Sequence, residues 1–399
     1  MNNSAAASAP LEICILIFDD LQTDRPTLRS CILTCRAWVN AARIYLFRTV
    51  NLTKKSFPDF RAIVHGAPAV GLSVRVLRLD VNADPHFEIL QHLPNVTHLT
   101  LSDWILKHEV NDVLAARLGK LNTLELEDFN IMTTELPRIL SSCKELSSLS
   151  LREVYWPLSF KTGRTWFTKW SRLPSDAVAL VPEKSLRVQS LSVSACTKLV
   201  YDLLIRGATL GPSPCLTLTN PDPDTEHVRR LFDHWAPSAS SLKLSFRDAR
   251  EEPPSLAVST ELLSLTLDRT PLKYTEDLRK LPAWLSKVLK SVESSRFRYL
   301  RVIVTAGWLP KDLPGPWQPV LAELSRLASR SGGVEFVFEL RAITKDASKI
   351  KSMQDELETA LVPKPPSSLD VNIVVIADKN SHRGWGSKEC GIICTFVLV

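Results

Sequence analysis

The side chains with the most reactive potential are eight cysteines and eight histidines. The cysteines stand at 14, 31, 35, 143, 196, 215, 390 and 394, and no two form a Cys-x-x-Cys pair. Cys31/Cys35 and Cys390/Cys394 are four residues apart, a spacing that aligns ligands on a helix. Both pairs lie in apolar company, however, where a free thiol packs as a small hydrophobe. His86, His92 and His98 recur every six residues, which fits neither a helix face nor a metal pair. The sequence has no Gly-x-Ser-x-Gly, no phosphate-binding Gly-rich loop and no His-Glu-x-x-His. No carboxylate pair stands out as a general acid and base, and Asp222, Asp224 and Glu226 read as a loop and a helix start with favourable dipole placement. The expectation is a binding protein rather than an enzyme, with no catalytic residue, cofactor or metal.

The whole chain bounds the partners. Its 399 residues are 45% hydrophobic and 23% charged, with a formal net charge of +6. That composition suits a folded chain, and so small a basic excess, spread along the sequence, argues against nucleic acid. No run of 18 apolar residues occurs, so no membrane span is expected. The first nine residues lack a basic, then apolar, leader pattern and carry no folding signal. Sparse cysteines without a disulfide framework suggest reduced thiols and a cytoplasmic or nuclear location. Asn51-Leu-Thr and Asn95-Val-Thr spell glycosylation sites only. The apolar tail from Cys394 to Val399 reads as a last buried strand.

From residue 70 onward the sequence repeats an apolar-x-x-Leu-x-apolar unit. Its middle residues are Leu77, Leu99, Leu124, Leu149, Leu191, Leu216, Leu242, Leu265 and Leu300. The steps are 22, 25, 25, 42, 25, 26, 23 and 35 residues, mostly within the leucine-rich-repeat range of about 20–29. Each unit predicts a short strand with alternate side chains inward, followed by a helix on the outside. The stripes Leu136-Ile139-Leu140-Cys143, Val228-Leu231-Phe232-Trp235 and Leu278-Leu281-Leu285-Val288-Val292 mark three such helices; Pro282 should kink or delay the third. The Asn or Cys expected after each strand occurs only as Asn82 and Cys196, the place being taken elsewhere by Trp104, Phe129, Val154, Pro221, Arg247 and Thr270. No regular polar ladder is therefore expected. Residues 334–340 and 371–376 read as closing strands, with a helix over 350–361 between them.

Residues 10–50 are different. Leu11 to Leu21 form a helix that is apolar around more than one face, Asp24 and Pro26 start a second helix striped by Leu28, Cys31, Ile32 and Cys35, and Trp38, Ala42, Tyr45 and Leu46 mark a third. About forty residues cannot bury so much apolar surface alone. The run Pro10-Leu11-Glu12-Ile13, Ile17-Phe18, Leu21, Leu28, Cys31, Thr34-Cys35-Arg36-Ala37-Trp38 and Leu46-Phe47-Arg48 resembles an F-box of the kind found in large fungal families, with Ala9 where that family usually has Leu. The resemblance covers about a tenth of the chain. It implies docking to the adaptor subunit of an SCF-type ubiquitin ligase, and through it to a cullin, with Pro10, Leu11, Ile13, Ile17, Leu28, Cys31, Cys35 and Trp38 at or beneath the adaptor surface. The alternative is that these helices merely cap the repeats.

The expected fold class is α/β: a three-helix F-box-like module over 10–50, then an irregular leucine-rich-repeat horseshoe over 51–399, with parallel strands inside, helices outside and an insertion at about 155–185. An unknown protein target would meet the concave face, which is mostly small hydroxyls with Arg78, Glu125 (beside Glu127) and Lys243 as charged positions. The insertion offers Trp156, Trp166 and Trp170 among basic residues, either as a recognition loop or as an extra helix with its Trp side chains buried.

Overall fold

A computed structural model describes residues 11–22, 24–34, 36–80, 84–106, 112–131, 135–155, 186–219, 226–246, 255–272, 275–306, 317–342, 369–376 and 390–398. The segment with Trp156, Trp166 and Trp170, the helix expected over 350–361, and Pro10 and Cys35 lie outside the described residues. Two compact units divide the chain: 1–188 with 196–209, and 189–195 with 210–399.

The first unit opens with helices α1 (Leu11–Asp20), α2 (Arg25–Thr34) and α3 (Arg36–Arg48). Asp24 caps α2, accepting hydrogen bonds from the Thr27 amide (3.1 Å) and hydroxyl (2.6 Å), which satisfies a donor that the first helical turn leaves unpaired. Those bonds hold the Asp24 carboxyl below its ordinary pKa. Cys14, Phe18, Leu28, Cys31, Ala41 and Ala42 are buried together, with Trp38 and Tyr45 packed against them. Phe18 meets Trp38 edge-on at 5.6 Å between centroids, a favoured aromatic geometry. The Tyr45 hydroxyl donates to the Ile15 carbonyl across the helices (3.3 Å).

Strand β1 (Thr49–Thr53) follows, then α4 (Phe57–Gly66), α5 (Pro68–Ser73), β2 (Val76–Asp80), a 3-10 segment (Asp84–His92), β3 (His98–Leu106), α6 (Asp112–Leu118), β4 (Thr123–Ile131), α7 (Glu135–Ser142) and β5 (Ser148–Tyr155). β1 to β5 pair in chain order, all parallel. The register aligns Leu52, Leu79, Leu101, Leu126 and Leu151 in one inward row, each of them buried. The alternating leucines of the sequence repeat are thus the core of the stack, as repeat units that cannot close a core singly require.

The backbone supplies a regular ladder where the repeats lack a regular Asn or Cys. The amides of Thr97 and His98 both donate to the Arg75 carbonyl, those of Asn122 and Thr123 to Thr97, and those of Ser147 and Ser148 to Asn122. The apolar residues at the expected Asn position have their own device. Asp103, Asp128 and Glu153, 25 residues apart, all adopt left-handed backbone (φ 52°, 46° and 53°). That turn breaks the two-residue alternation, so two successive residues face out before Phe129 or Val154 plugs back into the core. Left-handed backbone costs a non-glycine residue on the order of 1 kcal/mol, which burial of a Phe or Val side chain offsets. Ala195 takes the same conformation (φ 49°), and there the following Cys196 thiol donates to the Leu151 carbonyl (3.5 Å).

β6 (Leu186–Ser194), α8 (Lys198–Gly207) and β7 (Ala208–Thr219) come next. The second unit continues with α9 (Glu226–Trp235), β8 (Ser241–Phe246), β9 (Ser264–Leu272), α10 (Thr275–Lys290), β10 (Tyr299–Ala306), α11 (Gln318–Ser331), β11 (Val334–Ala342), β12 (Leu369–Ile376) and β13 (Cys390–Leu398). β7 to β11 are parallel in chain order, and the last two strands reverse: β13 lies between β11 and β12, antiparallel to both. α10 already begins at Thr275 and holds Pro282 inside it, so the proline does not delay the helix. α11 ends at Gly332 (φ 77°), whose amide closes onto Ala328, because only Gly takes that left-handed cap without cost. The predicted stripes of α7 and α9 are buried, as are Leu281, Leu285 and Val288 of α10 and Val292 just beyond it. Burial pushes the Cys143 thiol up to about 12, so this cysteine is core rather than reactive. No helix among the described residues is long and apolar enough to cross a membrane.

Candidate protein-binding surfaces

α1 has two apolar faces. Cys14 and Phe18 turn inward, while Ile13, Leu16 and Ile17 are 48%, 62% and 38% exposed. These three are spaced i, i+3, i+4 and so form one stripe along the helix. Leu33 of α2 is 87% exposed. One helical face suffices to hold the module together, and an apolar stripe left in water costs free energy that only a partner recovers. Of the residues that the F-box resemblance implicates, Ile13 and Ile17 lie in this stripe. Leu28 and Cys31 lie in the core beneath it, and Trp38 is half-buried against Phe18. Burial, and then the Asp24 carboxylate, push the Cys31 thiol up, in keeping with an internal thiol. The Trp38 indole Nε1 is buried without a hydrogen-bond partner. Leu11 begins α1. The sequence left out Leu16 and Leu33; the only signal for Leu16 was the breadth of the apolar surface on the first helix.

The open face of the β1–β5 sheet carries rows fixed by the register. One row runs Asn51, Arg78, Thr100, Glu125 and Ser150; the next runs Thr53, Asp80, Ser102, Glu127 and Arg152. Arg78 and Glu125 are two strands apart, about 10 Å, with Thr100 between them donating to Glu125 Oε2 (2.9 Å). Arg152 pairs with Glu127. Along the strands' far end stand Asp103, Asp128 and Glu153. Desolvation first, and then the charges of Asp103 and Glu153, raise the Asp128 carboxyl above its ordinary pKa. The face is therefore polar with an acidic margin. Sequence spacing gave its rows, whereas the three carboxylates became visible only with the left-handed backbone.

In the second unit Lys243 sits between Thr217 and Thr266 in one row that continues to Arg301. Arg301 donates from Nε (3.1 Å) and a terminal nitrogen (2.5 Å) to Glu339 Oε2. Glu339 is the more buried partner, its side chain 7% exposed against 37% for Arg301. That hydrogen bonding raises the guanidinium pKa further. Lys243 is half-buried and belongs to the second unit, whereas Arg78 and Glu125 belong to the first.

Together these features define a parallel α/β repeat protein of leucine-rich pattern, preceded by a three-helix module. No protein-family model matches the chain, and no curated protein matches it. Among solved structures the chain is similar to an internalin from Listeria monocytogenes, at 11% identity over 64% of this chain and 68% of that one, with a TM-score of 0.27. The repeat architecture rests on the strand register and buried leucine rows described above.

Proposed function

We propose that this chain is a substrate-recruiting subunit of an SCF-type ubiquitin ligase: α1 and α2 dock the adaptor, and through it a cullin, while the repeat faces hold a protein target. On this reading it positions other molecules and performs no chemistry itself, acts in the cytoplasm or nucleus, and engages neither nucleic acid nor membrane. The observation that carries the reading is the exposed Ile13-Leu16-Ile17 stripe on a helix whose opposite face already closes the module's core. Such a surface, with an F-box-like sequence beneath it, supports a dedicated partner. The polar open faces support a separate, weaker or modular contact with a target, because the rows described above are mostly small hydroxyls and charges rather than the aromatic anchors that concentrate binding energy.

The second reading is a repeat scaffold that binds protein with no ligase role, favoured by the same polar faces. Mixing the full chain with purified SCF adaptor separates the two. Co-elution with a Kd in the micromolar range or tighter supports the recruiting subunit. No complex at tens of micromolar, with the chain shown folded by circular dichroism, leaves the scaffold.

A further inference from the structure

His65, near the end of α4, and His92, at the end of the 3-10 segment, lie 27 residues apart in sequence. Their rings nevertheless meet, with centroids 4.4 Å apart and planes at 65°. Both side chains are exposed. The elements beneath them interlock. A Cβ on Gly71 would stand 2.2 Å from the His92 carbonyl oxygen and 3.3 Å from Val64 Cγ1, so α4, α5 and the 3-10 segment meet in a contact that only Gly permits. Val64 is buried beside the His65 position, and Asn95 Nδ2 holds the Leu72 carbonyl (2.8 Å) just beyond His92. One turn back along the same two elements, Arg61 and Glu88 form a loose ion pair at 3.9 Å.

We propose that His65 and His92 form a two-imidazole site for a divalent transition cation of the zinc, copper or nickel kind. Imidazole nitrogen suits these ions, whereas magnesium and calcium require oxygen. Ligand nitrogens about 2.1 Å from a shared ion need rings within a few ångströms of each other, and this pair meets that condition. Exposed rings turn about their terminal torsion at little cost, so the lone pairs can converge while the backbone stays fixed. Rigid supports lower the entropy of organising the ligands. Among the described residues no group of three or more His, Cys, Asp and Glu is placed to hold a metal, and the site is proposed with these two protein ligands and water in the remaining coordination positions. The bound ion ties α4 to the 3-10 segment and stabilises the unit by mass action.

Calorimetric titration of the full chain with Zn²⁺ tests this site. The expected result is one equivalent of bound Zn²⁺ that is weakened about tenfold or more by His65→Ala and equally by His92→Ala, left unchanged by His98→Ala, and not mimicked by Mg²⁺. The thermal midpoint should rise with Zn²⁺ in the wild type and in neither single variant. His65→Gln and His92→Gln, which keep side-chain volume, serve if an alanine variant misfolds. No Zn²⁺ bound by the wild type, or wild-type stoichiometry and affinity in the His65 and His92 variants, overturns the site.

Discussion

Replacing Ile13, Leu16 and Ile17 together by Ala separates binding from folding. The three side chains are 48%, 62% and 38% exposed, so about half of each remains available for burial by a partner. Each change removes three carbons, worth about 0.8 kcal/mol apiece when fully buried. Scaled by the exposed half, each truncation costs about 1 kcal/mol of docking energy, and the three cost about 3 kcal/mol. That is a loss of roughly two orders of magnitude in adaptor affinity. The surface truncations should alter stability far less than their effect on docking, since Ala is the best helix former and the inward face of Cys14 and Phe18 is untouched. Phe18→Ala is the contrast: it empties a fully buried site and should destabilise by about 3–5 kcal/mol. Calorimetry against the purified adaptor, with circular dichroism melts alongside, reads both quantities. Triple-variant affinity within about threefold of wild type would refute the stripe as the docking surface. A large loss of helicity in the triple variant would refute the division of α1 into a core face and a binding face.

Gly71→Ala should lower the thermal midpoint, with a cost of about 1–3 kcal/mol from overpacking, because its Cβ would overlap the His92 carbonyl oxygen. Arg301→Ala should destabilise more than Glu339→Gln, since Arg301 is the more exposed partner and Glu339 the more buried, and losing the cation beside a buried carboxylate is the costlier change; equal midpoints would contradict this asymmetry. Asp128→Asn should raise the midpoint at pH 7. The folded-state carboxyl pKa is raised, so the ionised form is penalised at neutral pH, and the penalty vanishes as pH falls below the unfolded carboxylate pKa of about 3.9. The variant's advantage should therefore shrink in acid, and an advantage that grows there would contradict the assignment.

The sequence by itself determined what period alone can encode. Alternating leucines every 22 to 25 residues named the strands that carry Leu77, Leu99, Leu124 and Leu149, because burial on one face of a strand demands a two-residue period. Stripes at 3.6 spacing named α7 and α9 for the same reason, and Leu28 and Cys31 marked the inner side of α2. Tertiary structure decided everything that depends on what lies opposite. Ile13 and Cys14 are both apolar, and only packing against Leu28 and Ala42 turns Cys14 inward and leaves Ile13 outside. Asp103, Asp128 and Glu153 read as ordinary polar residues until the buried Phe129 and Val154 force left-handed backbone before them. The closing strands were legible, but the position of β13 between β11 and β12 was not, since parallel and antiparallel partners satisfy the same apolar pattern. No spacing in the sequence links His65 to His92; they meet because Gly71 lets three elements approach more closely than any side chain would allow.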